Sequence, residues 1–383
     1  MYNLSGIFWA YRNKITNKLY GVVHMPANGE KKGEVLVSYT TEPFTLAPWE
    51  KFSNFHTNYW ECYKIARLFS VRGYAVDIIN WNNHKFIPNK KYKICIDTQN
   101  NLEHLFSFLP KDCKKVMHIV TSYGDFQNNA EMVRLSELKK RRGIVLLPQR
   151  QMLPTKNLDY VDFLEGFGNK SVHSTYGRFG KSIFPIPISA VKLFDFPENK
   201  NFKISRTKFL WFGGGGAILK GFDLVLEAFA KTPQLELHVC GPIAAEKDFV
   251  EAYKKELYET PNIHTHGRIN VASNLFNEIA NKCGALIYPA FSEGTSGAVV
   301  QAMHAGLIPI ITHATGIQED AGYIPLENPT LESIKEATLK FSNMPEEKIS
   351  ELSKRIWEYA REHYTRETFS REYSNFINTV LKI

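Results

Sequence analysis

The chain has 383 residues, of which 44% are hydrophobic and 22% are charged, as in an ordinary globular protein. This length favours two domains over a single core. The formal net charge of +8 fits an acidic or phosphorylated ligand, an anionic surface, or a solvated basic surface without a partner. It is too small to indicate nucleic-acid binding.

The five cysteines are scattered and form no C-x-x-C pair, which argues against a disulfide framework and against a zinc site. The N-terminal residues lack the basic region and the apolar core of a secretory signal. No apolar run approaches the ~20 residues that span a bilayer. We therefore expect a cytoplasmic protein that contacts the inner face of the membrane at most.

The first half alternates short apolar runs with helical patterns. The spacing predicts a helix over 58–72 that ends at Gly73, and the basic cluster 139–142 ends a later helix, where cations complement the helix dipole. A strand, a loop, a helix and a second strand in succession favour a parallel sheet. The predicted strands cover residues 34–39, 74–79, 92–96, 116–120 and 143–147.

The second half alternates strands and helices more regularly, after a proline-punctuated stretch over 182–207 that marks the domain boundary. This alternation predicts a doubly wound α/β domain. Its last segment, 365–383, carries apolar residues at helical spacing and must dock on another surface. The strands are expected at 208–212, 235–240, 262–265, 285–290 and 308–312, and the helices at 221–231, 244–258, 272–283, from 297 onward and throughout the tail after 331.

A run of four glycines at 213–216 follows one strand and precedes a helix, so its backbone N–H groups could approach a phosphate closely. The run does not complete G-x-G-x-x-G, because Leu219 stands where the third glycine belongs. Nor is it a P-loop, because Lys220 is followed by Gly221. Lys220 is placed to neutralise a phosphate at the helix N-terminus, although a surface lysine is equally expected there.

A second glycine-rich turn, at 293–297, joins a strand to a helix. Glu293 precedes the turn, and Gln301 follows eight positions later inside the helix. The arrangement directs backbone N–H groups, one carboxylate and one amide at the carboxyl end of a sheet. Ligands of open α/β folds bind at that end, and helix N-termini favour anions.

Several stretches occur in the order and spacing of one known family. They are Phe-Leu-Trp-Phe-Gly at 209–213, Lys-Gly-Phe-Asp-Leu-Val-Leu-Glu-Ala-Phe at 220–229, Leu-His-Val-Cys-Gly at 237–241, the stretch 293–310 and the closing segment 359–369. Together they resemble the retaining glycosyltransferases of family four (glycosyl transferases group 1), whose E-x7-E stretch corresponds to 293–301. The likeness is strong over 208–383 and weak before residue 182.

The resemblance implies an α/β fold of the GT-B type, with two Rossmann-like domains facing a cleft. It implies an acceptor-side domain over 1–185, a donor-binding domain over 186–364, and a C-terminal helix over 365–383 that packs back on the first domain. The implied activity is transfer of a sugar from a nucleotide-diphosphate donor to a hydroxyl acceptor, with retention of configuration. No cofactor or metal is implied, and no D-x-D motif occurs in the chain.

The resemblance also assigns roles to residues of this chain. Lys220 would bind the donor diphosphate, Glu293 the hydroxyls of the transferred sugar, and Gln301 the ribose, while His118 would lie near the sugar. The backbone of the two glycine-rich turns would contact the donor through Gly213, Gly214, Gly215, Gly216, Gly294, Thr295, Ser296 and Gly297.

Two positions depart from the family's pattern. Gln301 stands where the family usually has glutamate, and an amide accepts through one oxygen only. We expect weaker nucleotide binding by about 1–2 kcal/mol, and tighter binding after Gln301→Glu. Gly215 stands where an arginine is usual, so an arginine from elsewhere would help to neutralise the diphosphate, with Arg178 as a candidate.

These departures leave open a second hypothesis, a catalytically weak or inactive GT-B protein that binds a nucleotide sugar or glycan as a partner module. A nicotinamide-dependent oxidoreductase is disfavoured by the incomplete glycine motif. Tyr59, Trp60 and Trp81 would either stack on acceptor sugars or belong to the core. The cluster 139–142, with Lys111, Lys114 and Lys115, is a candidate contact with an anionic membrane or a lipid-linked acceptor. The donor, the acceptor and the oligomeric state stay open.

Overall fold

The computed structural model describes residues 4–47 and 56–382. Within these residues the strands are β1 (Val22–Met25), β2 (Gly33–Tyr39), β3 (Tyr74–Asn80), β4 (Tyr92–Asp97), β5 (Lys114–Ile119), β6 (Phe163–Gly166), β7 (Ile183–Pro185), β8 (Lys208–Phe212), β9 (Glu236–Cys240), β10 (Ile263–Gly267), β11 (Ala285–Tyr288), β12 (Ile308–Ile311) and β13 (Ile324–Pro325).

The helices of the same residues are α1 (Leu4–Tyr20), α2 (Asn58–Ser70), α3 (Leu102–Leu105), α4 (Gly124–Arg142), α5 (Asn157–Tyr160), α6 (Lys170–Ser174), α7 (Phe202–Ser205), α8 (Phe222–Ala230), α9 (Lys247–Ala252), α10 (Lys254–Tyr258), α11 (Asn274–Lys282), α12 (Gly297–His304), α13 (Leu331–Ser342), α14 (Glu346–His363) and α15 (Arg366–Phe376). A π-helical turn, Ile377–Leu381, follows α15. No helix among the described residues has the length and apolar composition needed to cross a membrane.

The first sheet has the strand order β1-β3-β2-β4-β5-β6-β7, and all of its pairs are parallel except the antiparallel pair β1–β3. Its central strands are apolar on both faces and fully covered by helices and loops, as parallel strands are. The four strands predicted between residues 34 and 120 are confirmed.

The strand predicted at 143–147 is wrong. Gly143 adopts a left-handed conformation, with a φ of 71°, and ends α4. The apolar residues that follow face solvent, with Val145 70% and Leu147 72% exposed, so they are not part of a buried strand. The strand that pairs with β5 is β6, whose short Phe-Leu-Glu-Gly sequence carries little strand signal.

The second sheet is parallel throughout, with the order β10-β9-β8-β11-β12-β13. This is the Rossmann order 3-2-1-4-5-6, in which ligands bind where the order reverses, between β8 and β11. The predicted strands and helices of this half are confirmed, except that the helix expected at 244–258 divides at Tyr253 into α9 and α10. The predicted domain boundary after residue 185 coincides with the end of β7, and the domain limits stay a prediction.

The C-terminal helix α15 returns to the first sheet. Phe369, Tyr373 and Phe376 of this helix are fully buried, and the Phe369 ring packs edge-on against Trp60 at 5.8 Å between ring centroids. The Tyr373 hydroxyl donates to Glu165 of β6 at 3.1 Å. The expected docking of the tail on the first half is confirmed.

A network of ion pairs between side chains forms a second contact between the two halves of the chain. Arg134 and Arg141 of α4 both pair with the buried Asp223 of α8, at 2.8 and 2.6 Å, and Arg141 also pairs with Glu227 at 3.0 Å. Part of the basic cluster 139–142 therefore forms a buried interdomain network. From the sequence we had expected the cluster to complement the helix dipole or to contact an anionic membrane. Together with α15, this network fixes how the two sheets face one another.

Candidate functional site

A cleft of about 560 Å³ opens between the carboxyl ends of the two sheets. Its walls come from both halves, with Tyr39, Thr98 and Val120 on one side and the glycine run and the start of α12 on the other. A larger cavity, about 810 Å³, lies between β13, α13 and α14 and contains none of the predicted site residues. Size therefore does not single out the site, whereas the convergence of polar groups does.

The cleft contains a compact polar cluster formed by Lys220, Glu293 and Tyr288. The Lys220 ammonium lies 2.8 Å from Glu293 Oε1 and donates to the Tyr288 hydroxyl at 3.0 Å. That hydroxyl donates in turn to Glu293 Oε1 at 2.7 Å. The structure thus brings together the two side chains that the sequence placed 73 positions apart, and it adds Tyr288, which the sequence reasoning missed.

Burial and charge act in opposite directions on Glu293. Burial alone would raise its pKa, but the Lys220 ammonium, the Tyr288 hydroxyl and the charge of Arg150 outweigh burial and hold the pKa below its ordinary value. Burial, and then the Glu293 charge, raise the pKa of Tyr288 well above its ordinary value. At neutral pH Glu293 is therefore a carboxylate that accepts hydrogen bonds, and Tyr288 is a neutral phenol that donates one.

The glycine run divides between two roles. Gly213, Gly214 and Gly215 line the cleft, as predicted for a phosphate-binding loop. Gly216 does not, because its N–H donates to the buried carboxylate of Glu246 at 2.6 Å. An internal anion already satisfies this part of the loop, so we expect the phosphate-facing groups to lie before residue 216.

Two arginines line the cleft beside the glycine run: Arg150, from the loop after α4, and Arg268, which directly follows β10. The stem of Arg150 lies over Gly216, where an added Cβ would come within 2.4 Å of its Cγ. The Arg150 backbone N–H donates to Glu131 at 2.9 Å, which fixes the loop on α4. These cations supply positive charge that Gly215 lacks. No local pattern in the sequence marks either of them, because their placement depends on packing between distant segments.

Arg178, the predicted substitute for the missing arginine, does not line the cleft. It pairs with Asp125 at 3.2 Å, its guanidinium lies over the Tyr123 ring at 4.5 Å, and its side chain is 58% exposed. The structure therefore does not bring Arg178 to the place where a diphosphate is expected, whereas Arg150 lines the cleft.

The start of α12 forms the opposite wall. Thr295, Ser296 and Gly297 line the cleft as predicted, and the N–H groups of the first turn of a helix have no intrahelical partners. Gly294 is not among the lining residues, because a Cβ on it would lie 2.3 Å from the Val120 carbonyl oxygen. Gly294 thus allows the two halves to touch at the floor of the cleft.

Gln301 lines the cleft but is engaged by the segment that joins the two sheets. Its Nε2 donates to the Lys192 carbonyl at 2.7 Å, and its Oε1 accepts from the Lys192 N–H at 3.1 Å. A carboxylate could not donate to that carbonyl. The structure thus gives a reason for an amide at this position that is unrelated to ribose, while the ribose contact stays a prediction.

His118 is fully buried and is not among the residues that line the cleft. Its Nδ1 lies 2.9 Å from both carboxylate oxygens of Glu165, and its ring packs against Phe167. The structure does not bring this catalytic candidate to the site. His56 does line the cleft, and burial, followed by the charges of Lys220 and the two arginines, lowers its pKa. Its imidazole is therefore neutral at pH 7.

On the acceptor side, Glu61 of α2 lines the cleft although it is fully buried. It accepts from the Ser189 N–H and hydroxyl, each at 2.9 Å, and burial raises its pKa. Of the three aromatic candidates, Trp81 lines the cleft, whereas Trp60 packs against α15.

The second half of the chain matches a known family model. Residues 195–363 match the family model described as Glycosyl transferases group 1. The resemblance to this family is confirmed. No curated protein sequence matches the chain.

Solved structures of glycosyltransferases share the fold. TarM of S. aureus, solved with fondaparinux, α-GlcNAc-glycerol and UDP, is 13% identical over 75% of this chain and 55% of its own, with a TM-score of 0.52. HepE of Anabaena, solved with UDP and glucose, is 10% identical over 92% and 100%, with a TM-score of 0.57. Sucrose-phosphate synthase of Thermosynechococcus elongatus is 11% identical over 92% and 100%, with a TM-score of 0.63.

These likenesses establish the fold, which is GT-B with two Rossmann-like domains, as the resemblance implied. The chain spans about half (55%) of the length of TarM.

Proposed function

We propose that the chain is a glycosyltransferase that moves a sugar from a nucleotide-diphosphate donor to a hydroxyl acceptor, without a metal and with retention of configuration. One observation carries the proposal. Lys220, Arg150, Arg268 and the start of α12 converge on a single cleft, so positive groups from both halves of the chain surround the place where the family binds its donor.

In the proposed reaction, negative charge develops on the departing diphosphate. The bond between the anomeric carbon and the diphosphate oxygen breaks, and the diphosphate leaves with the electron pair. Lys220, the glycine run and the first turn of α12 stabilise that negative charge, which a cation would otherwise do. Glu293 is fixed by Lys220 and Tyr288 as an acceptor for sugar hydroxyls.

The new bond forms from the acceptor hydroxyl, whose proton must pass to a base. His56 is the histidine of the cleft wall and is neutral at pH 7, so it is better placed for this role than the buried His118.

The donor is tested by thermal shift with UDP-, GDP-, dTDP- and ADP-sugars, because a bound donor raises the unfolding midpoint by mass action. TarM and HepE were solved with UDP, which makes UDP-sugars the first donors to test. Lys220→Gln should abolish the shift, whereas Lys231→Gln, which changes an exposed lysine after α8, should leave it intact. A screen in which no nucleotide sugar raises the midpoint would overturn the proposal. Transfer that requires added divalent metal after chelation would reject metal independence.

A second candidate is a binding module without transferase activity. It is favoured by two contacts that already occupy donor-site groups, namely Gln301 with Lys192 and Gly216 with Glu246. Donor binding without hydrolysis or transfer to any of a panel of glycan and glycolipid acceptors would support this candidate. Release of free nucleotide diphosphate would exclude it.

We further propose that the chain contacts anionic membranes through α1. The cluster 139–142 is less suited to this role than its sequence suggested, because Arg141 and Arg142 pair with acids of the second half. α1 contains three basic residues and no acid, and it exposes an apolar stripe. The stripe consists of Phe8, Tyr11, Ile15 and Leu19, which are 82%, 67%, 46% and 64% exposed.

Sedimentation with phosphatidylglycerol vesicles tests this contact. The double change Phe8→Ser with Leu19→Ser should release the protein, whereas Leu275→Ser, at an exposed leucine of α11, should not. Absence of sedimentation at low salt would contradict the proposal, and equal sedimentation with phosphatidylcholine vesicles would contradict the role of charge.

A further inference from the structure

Histidines of two adjacent strands gather on one face at the edge of the second sheet. His238 of β9 lies opposite His264 of β10 in the register, and the two rings are 5.0 Å apart between centroids. Glu236, two residues before His238, points to the same face. Its Oε2 lies 3.8 Å from His238 Nε2 and 3.9 Å from His264 Nε2. The three ligand atoms lie within 4.8 Å of one another.

The buried member of this group has a ring nitrogen without a partner. His238 is 7% exposed, and its Nε2 makes no hydrogen bond although it faces Glu236. Its other nitrogen, Nδ1, lies 3.0 Å from Nε2 of His266, which lies on β10 like His264. When His238 Nδ1 donates to His266, the lone pair of Nε2 points into the cluster. This arrangement, a ring nitrogen held by an outer partner while the other is free, orients metal-binding histidines.

We propose that Glu236, His238 and His264 form a Zn²⁺ site. Two imidazoles and one carboxylate are a ligand set that zinc accepts, with water completing the tetrahedron. Ligand atoms around zinc lie roughly 3.4 Å apart, since each is about 2.1 Å from the ion. The Glu236 oxygen lies 3.8 and 3.9 Å from the two ring nitrogens, and all three atoms lie within 4.8 Å of one another, so they must approach one another by at most about 1.4 Å. His264 and Glu236 have side chains that are 41% and 37% exposed, which leaves an entry path and a place for the water.

One cation next to the cluster competes with zinc for Glu236, and the predicted donor site lies at the opposite end of β9. Lys208 of β8 holds both oxygens of Glu236, at 3.0 and 2.9 Å, so zinc must share or displace this ammonium. Glu236 is the first residue of β9, whereas Gly241, at the far end of the strand, lines the donor cleft. Five residues at about 3.3 Å each place the two about 16 Å apart. The site would therefore bind β10, the edge strand, to β9, and not take part in sugar transfer.

The site could not be predicted from sequence, because the residues of the cluster are spread over two strands and no two of them form a familiar metal motif.

The test is a zinc titration of the full chain, freed of any affinity tag and stripped with a chelator, in competition with a chromophoric chelator. We expect one equivalent of Zn²⁺ to bind and to raise the unfolding midpoint. His264→Asn and Glu236→Gln should each weaken binding at least tenfold and abolish the shift. Lys208→Met should strengthen binding, because it removes the competing cation. His363→Asn, at an exposed histidine of α14, is the matched control and should change neither readout.

Several outcomes would overturn the proposal. The first is that zinc does not bind. The second is that His264→Asn and Glu236→Gln leave the zinc affinity unchanged. The third is an equal loss of zinc affinity in His363→Asn and His264→Asn, which would indicate adventitious surface binding. Weaker binding in Lys208→Met would also contradict it. Urea unfolding of the metal-free variants checks that each is folded. All readouts are independent of donor binding, so the zinc site and the proposed transferase activity can fail separately.

Discussion

Replacing Gln301 by glutamate should loosen the contact between α12 and the segment that joins the two sheets. The amide now donates to the Lys192 carbonyl at 2.7 Å and accepts from the Lys192 N–H at 3.1 Å. A carboxylate keeps the second bond but places an oxygen against the carbonyl oxygen. Gln301 itself is 2% exposed, whereas Lys192 is exposed and the bond between them is partly buried, so water replaces the lost donor only in part.

The size of the effect follows from two limits. Leaving a buried carbonyl without its donor costs about 1–3 kcal/mol. Alternatively, the new carboxyl stays protonated and donates to the carbonyl, which at pH 7 requires a pKa raised from about 4.3 to 7 and costs about 4 kcal/mol. We therefore expect Gln301→Glu to lower the free energy of unfolding by about 1–4 kcal/mol at pH 7. The difference from wild type should shrink toward pH 4.5, where protonation is cheap.

Urea unfolding of both proteins at pH 7 and pH 4.5 measures this difference, and calorimetry measures donor binding in parallel. Gln234→Glu is the matched control, because it makes the same change at an exposed turn residue and should be nearly neutral. Unchanged stability together with tighter donor binding would refute this reasoning. It would restore the expectation from sequence, in which the position serves the ribose.

Two further predictions concern stability. Asp223→Ala should cost about 1–3 kcal/mol, because Arg134 and Arg141 lose the buried carboxylate that they share, although Arg134 keeps Glu137 and Arg141 keeps Glu227. Glu278→Ala at an exposed position should cost little, and equal midpoints in urea for the two variants would contradict a structural role for the network. Burial lowers the pKa of His304 to about 4, and the hydrogen bond to the Tyr364 carbonyl offsets this effect only in part. The contribution of the neutral His304 to stability is therefore complete above pH 6.5 and is lost as the pH falls from 6.5 toward 4. His304→Gln should flatten the pH dependence of unfolding by roughly 3 kcal/mol across that window, whereas the exposed control His363→Gln should leave the slope unchanged.

The second half could be predicted from sequence because local and global signals agree there. Buried parallel strands are continuous apolar runs, and each is followed by a helix with a clear stripe, as in β8 and α8. The first half was harder, because β6 and β7 are only four and three residues long, and they are recognised through the pairing of β6 with β5 and of β7 with β6. The exposed stretch after Gly143 was wrongly predicted to be a strand, because a short apolar run resembles a buried strand when its pairing is unknown.

The donor side of the cleft was also visible in sequence, since Lys220 and Glu293 lie at turns whose position in an α/β fold is fixed. Arg150 was not visible, because it reaches the cleft through a loop held on α4 by Glu131. His118 illustrates the opposite case: the end of a strand points toward the site, but this side chain turns into the core beside Glu165. Residues whose position depends on tertiary packing therefore could not be predicted from local sequence patterns.

The central claim is that cations from both halves of the chain hold a nucleotide diphosphate in the cleft. The direct test is calorimetric titration of UDP, GDP, dTDP and ADP into wild type, Arg150→Ala and the control Arg178→Ala. Because a hydrogen bond to a charged group contributes about 1.5–3 kcal/mol, the best-bound diphosphate should lose about 10- to 100-fold in affinity in Arg150→Ala and almost none in Arg178→Ala. Equal affinities in the two variants, or no binding of any diphosphate to wild type, would contradict the account.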